Sequence, residues 1–137
     1  MKKIYSKIKE DLLLHIIIKK EDFLDGRQDV IDADNPLQLS LLKLNEGKTF
    51  KPHKHIFNNK ETKITQESWV VISGRVKAIL YDIDDTIIEE VILNPGESSI
   101  TLRGGHNYLI LENNTFVYEY KTGPYKGQEY DKEFIND

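Results

Sequence analysis

Ile, Val, Leu, Thr and Tyr gather in short runs along the chain, and Gly, Asn, Asp and Pro separate them. Branched and aromatic side chains suit a pleated, half-buried surface, so the pattern predicts strands. They fall at residues 12–18, 37–44, 51–56, 68–72, 76–82, 87–93, 98–102, 108–111 and 116–121. Residues 4–11 mix apolar and charged positions and suit either a short helix or another strand.

The turns carry their own chemistry. Ser73-Gly74 joins two apolar runs as a tight hairpin, Asp82-Ile83-Asp84-Asp85 forms an acidic loop tip, and Asn94-Pro95-Gly96 cannot continue a central strand. Turn signals recur every 10 to 13 residues, which predicts an all-β domain with an antiparallel sandwich or barrel. Beyond Gly123 the chain turns polar and is expected to pack loosely. There is no internal repeat and no low-complexity segment.

Composition narrows the setting. The 137 residues (16.0 kDa), 39% of them hydrophobic, suit one domain that fills its own core. A net charge of −4 gives no general positive field for phosphate backbones, so nucleic acid is not an expected partner. The apolar run around His15 falls far short of the roughly 20 residues that cross a bilayer, and Lys7, Lys9, Glu10 and Asp11 interrupt any signal-peptide core. With no Cys, thiolate metal sites, Cys nucleophiles and disulfides are excluded, and a cytoplasmic location is expected. Phosphate-cradling, nucleophile-elbow and dinucleotide-binding glycine motifs are absent.

Candidate chemistry centres on histidine. In a strand, residues i and i+2 share a face, so His53 and His55 can aim two imidazoles at one point while Lys54 faces away. Pro52 removes a donor and fits the start of a strand or a bulge. On their own the two are equally well read as surface histidines. Glu67 opens the next strand and shares a face with Trp69 and Val71; His106 follows Arg103-Gly104-Gly105. If the sheet curls so that these residues converge, three imidazoles and a carboxylate would surround a divalent ion with positions left open. Taken singly, Glu67 is a solvated or hydrogen-bonded carboxylate and His106 a loop histidine.

The spacing resembles the cupin superfamily. Its first motif places five residues between Gly and His-x-His, as Gly47 and His53-Lys54-His55 do here, and six between Glu and Gly, as Glu67 and Gly74 do. The second motif is matched in part from Gly96 to His106, with Leu102 in place of Pro and His106 one residue early, Asn107 taking the usual His register. Eleven residues separate His55 from Glu67 where many cupins have three or four, which implies a longer loop over the barrel mouth. A subset of small bacterial cupins is similar in Thr65-Gln66-Glu67, Gly104-Gly105-His106 and Lys121-Thr122-Gly123-Pro124-Tyr125.

The resemblance implies a jelly-roll barrel over residues 37–121, with residues 1–36 adding strands and 122–137 forming a tail. It implies a site of His53, His55, Glu67 and His106 for Fe, Mn, Ni or Zn, and a homodimer. A small polar or sugar-like ligand at the metal would suit an isomerase or epimerase. The alternatives are a non-catalytic small-molecule-binding module, an iron-dependent oxygenase, and a pure interaction protein. Tyr108, two residues beyond His106, is the candidate catalytic hydroxyl or a packed residue; Trp69 is a pocket wall or core; Lys60 and Lys63 grip an anion or are solvated. Phe116, Tyr118 and Tyr120 share a face that fills the barrel or an oligomer interface. Gln66 is read as structural, His15 as a satisfied strand histidine, and Asp82, Asp84 and Asp85 as a hairpin tip that lacks a calcium loop's full ligand pattern.

Overall fold

A computed structural model describes residues 1–135. Every named strand pairs antiparallel. The strands are β1 (Lys2–Tyr5), β2 (Leu13–Ile18), β3 (Gly26–Asp29), β4 (Ser40–Lys43), β5 (Glu67–Ser73), β6 (Val76–Tyr81), β7 (Ile87–Leu93), β8 (Ser98–Thr101), β9 (His106–Ile110) and β10 (Phe116–Lys121). They form a five-stranded sheet ordered β1-β2-β8-β5-β10, a three-stranded sheet ordered β7-β6-β9, and the β3-β4 pair.

The five-stranded sheet buries apolar side chains on both faces. On the inner face, Ile4, Ile17 and Val71 meet Val76, Ala78, Leu80 and Leu93 of the three-stranded sheet. On the outer face, Ile16, Ile18 and Ile100 pack with Leu102 against Val30, Ile31 and Leu41. Burying each such Ile or Leu contributes roughly 1.5–3 kcal/mol, so both layers hold the sheet in place.

Most predicted strands form close to their expected limits, and two others appear. The segment left open between helix and strand begins with β1, whose single buried apolar residue, Ile4, is too little to make a period. The sequence of β3, Gly-Arg-Gln-Asp, carries no apolar residue at all; its ladder with β4 makes it a strand.

The strand expected at 51–56 does not form: no ladder runs between Lys43 and Glu67, and every residue from 42 to 64 is exposed. Pro52 lacks an N–H, Lys51 and Lys54 favour water, and Ile56 and Phe57 bury nothing, so no burial offsets the entropy of ordering this stretch. The ladders also do not close into a barrel. Among the described residues, β9 and β10 each keep one unpaired edge. Phe116, Tyr118 and Tyr120 do not fill an interior; they are 62%, 57% and 57% exposed.

Candidate functional site: a carboxylate and an imidazole joining two sheets

Gln66 fixes the entry to β5. Its fully buried amide accepts from the Leu37 N–H at 2.9 Å and donates to Asn35 Oδ1 at 3.0 Å, while its backbone exchanges hydrogen bonds with Thr122. The structural reading of this residue holds. The next residue, Glu67, lies beside Thr101 of β8 and Lys121 of β10 on the inner face.

His106 arrives from the other sheet, at the start of β9 beside Leu80 of β6. The turn before it requires glycine. Gly104 has φ +73°, and a Cβ there would lie 2.4 Å from the Tyr81 carbonyl oxygen. That close approach explains Gly104 physically, and the Tyr81 N–H donates to the Gly105 carbonyl at 2.9 Å. Behind the turn His15 is fully buried, donating from Nε2 to the Tyr81 carbonyl at 2.9 Å while Nδ1 accepts from the Thr101 hydroxyl at 3.1 Å. It is a satisfied strand histidine, as expected.

The two elements bring His106 Nε2 within 3.1 Å of Glu67 Oε1. Burial opposes ionisation of Glu67. The hydrogen bond and charge of His106, with Lys121 and Lys132, outweigh it and hold the carboxyl below its ordinary range. In the neutral imidazole, with Nε2–H directed at the carboxylate, His106 Nδ1 carries the lone pair, and this buried atom has no hydrogen-bond partner. The pair stands in an open cleft of about 900 Å³, whose lining includes Arg103, Asn107, Asp131 and Lys132.

The other expected site residues lie elsewhere. Tyr108 stacks on Trp69 with ring centroids 4.0 Å apart, and neither lines the cleft. The Tyr108 hydroxyl faces Ser99 and Thr101, and burial pushes its ionisation far above the ordinary range. Trp69 donates from Nε1 to Glu119 at 3.1 Å. Lys60 and Lys63 are in the exposed segment, where Lys63 lines a smaller hollow beside Thr62 and Gly123. His53 and His55 are also there, with ring centroids 5.6 Å apart, and His53 Nδ1 donates to the Lys51 carbonyl at 3.0 Å.

For the expected divalent ion the donor types are right, and their convergence is partial. Among the described residues no three His, Asp or Glu side chains lie close enough to hold a metal together. Glu67 and His106 are together, and His53 and His55 are together; the four are not. The sequence reading missed the lining contributed by residues 129–135. Polar composition alone gave no sign that this stretch lines the cleft. Asp82 did join the expected hairpin tip, its backbone N–H donating to the Thr86 carbonyl at 2.8 Å, but its carboxylate is buried and receives Ser6 Oγ at 2.5 Å and the Lys7 N–H at 2.6 Å. Compared with protein families, curated proteins and solved structures, the chain matches none.

Proposed function

We propose that this chain binds a small polar molecule in the Glu67–His106 cleft and is built on a cupin-type jelly roll. The observation that carries the reading is the carboxylate–imidazole pair at the cleft, with His106 Nδ1 left unpartnered. A carboxylate that fixes one imidazole nitrogen sets the tautomer and orients the other. His106 Nδ1 is then the group that accepts a ligand hydroxyl, and in an isomerase or epimerase it is the group that takes the proton. Tyr108, buried behind the cleft, is not needed for that step.

Isothermal titration with a panel of aldoses and small 2-keto acids tests the reading. A compound that binds the native chain should lose at least tenfold affinity in both His106→Gln and Glu67→Gln. Equal affinity in both variants would remove the cleft from the proposal.

A metal-dependent version is favoured by one further observation: His53 and His55 are adjacent in a segment that makes no ladder of its own. In that version Glu67 and His106 supply two donors and the 44–66 segment brings two imidazoles to them; the ion would add Lewis-acid polarisation of the ligand. Ni²⁺ titration should then lose tenfold or more in affinity for His53→Ala, His55→Ala and His106→Gln alike. Loss confined to the first two would put the metal away from the cleft.

A further inference from the structure

Residues 129–135 line the cleft that holds Glu67 and His106, and they are held there at two points. The first is Asp131, which accepts from the Thr65 hydroxyl at 2.6 Å and lies 3.5 Å from Lys121 Nζ. The second is Ile135, which packs so closely over Gly105 that a Cβ there would come within 2.3 Å of Ile135 Cδ1. Between these points the chain is poorly held. No residue from 122 to 135 is buried, and Tyr130 and Phe134 are 78% and 75% exposed.

That distribution matters. A segment anchored by a few part-buried polar bonds and one apolar contact belongs to the low end of local stability, and it opens without disturbing either core. The floor beneath it is rigid by contrast, because Gly105 is bonded to Tyr81 and His15 braces the same carbonyl region from behind. The His106 side chain is 26% exposed with the segment in place, and its Nδ1 is fully covered.

We infer that residues 129–135 form a latch over the Glu67–His106 cleft, fastened by Asp131 and Ile135, and that its release widens access to His106. Its functional meaning rests on the cleft being the binding site, but the test reads access alone and can fail independently of ligand binding.

The four histidines provide the measurement. Diethyl pyrocarbonate acylates unprotonated, accessible imidazoles, and the rate at each His is read by peptide mass spectrometry on the full chain. In the native protein His53 and His55 should react fast, His106 slowly and His15 not at all. Asp131→Ala removes one fastening. Gly105→Ala removes the other, since its new methyl collides with the end of Ile135, while the nearest atom outside Ile135 is Tyr81 Cβ at an ordinary 3.4 Å. Each should raise the His106 rate several-fold while His53 and His55 stay unchanged.

An unchanged His106 rate in both variants would overturn the latch. If His15 becomes reactive in either, that variant has lost its fold. Thr65→Val, which deletes only the hydroxyl donated to Asp131, then replaces it and is judged by the same two outcomes.

Discussion

His15 shows how one buried side chain ties stability to pH. Burial, reinforced by the nearby His106, lowers its pKa to about 4 from 6.5, against the raising influence of the Tyr81 carbonyl and Asp82. The folded chain therefore binds this proton less readily than the unfolded chain. Stability is complete above pH 6.5 and declines as pH falls toward 4, by on the order of 3 kcal/mol for a shift of this size. Urea unfolding between pH 7.5 and 4.5 should show that decline, and His15→Asn should flatten it while lowering stability at neutral pH. The same slope in both proteins would assign the effect to other groups. Glu67 acts in the same sense at a lower pH: its lowered carboxyl pKa adds stability above the ordinary carboxylate range, lost on further acidification. At this scale the sequence was legible where identity alone decides chemistry. Glu67 and His106 were selected and do meet, whereas the positions of His53 and His55 depended on a strand that is absent.

Elements whose signals were local came through almost intact. The hairpin at Ser73-Gly74 is an example, since Gly74 has φ +76° and a Cβ there would meet Thr115 Oγ1 at 2.2 Å and its Cα at 2.9 Å. Gly74→Ala should cost about 1–3 kcal/mol in urea unfolding, because it pays for both the left-handed backbone and the collision. A change under 0.5 kcal/mol would show that Thr115 yields freely. Gly104→Ala meets backbone rather than a side-chain tip, so it should cost as much and also loosen His106, read as a rise in its acylation rate. The 51–56 stretch had the composition of a strand but nothing to pair with or bury against, and no count of residue types within it could show that. For β3 the reverse is true: the partner strand supplied the order that its own residues lack.

Taken whole, the molecule is a five-stranded sheet with a layer on each side, but the outer layer covers only part of it. Phe116, Tyr118 and Tyr120 extend the uncovered side to the unpaired edge of β10. The pairing of two copies that the resemblance implies would use this side, because a free edge and an aromatic row both seek a partner. Sedimentation of the native chain should then show a concentration-dependent dimer, and Tyr118→Asp should return it to monomer with little change in thermal stability. A native chain that stays monomeric at high micromolar concentration would remove the dimer from the reading.

The doubly covered sheet also bears on how β2 finds its place. From Leu14 to Ile18 every side chain is buried, those of Ile16 and Ile18 on one face and that of Ile17 on the other, so a slide by one position would exchange greasy residues for greasy residues at little cost. Only His15 breaks that equivalence. Slid by one, its ring would leave Tyr81 and Thr101 and enter the aliphatic layer with two nitrogens unanswered. The imidazole thus works as an index pin, telling an otherwise ambiguous strand where to stop.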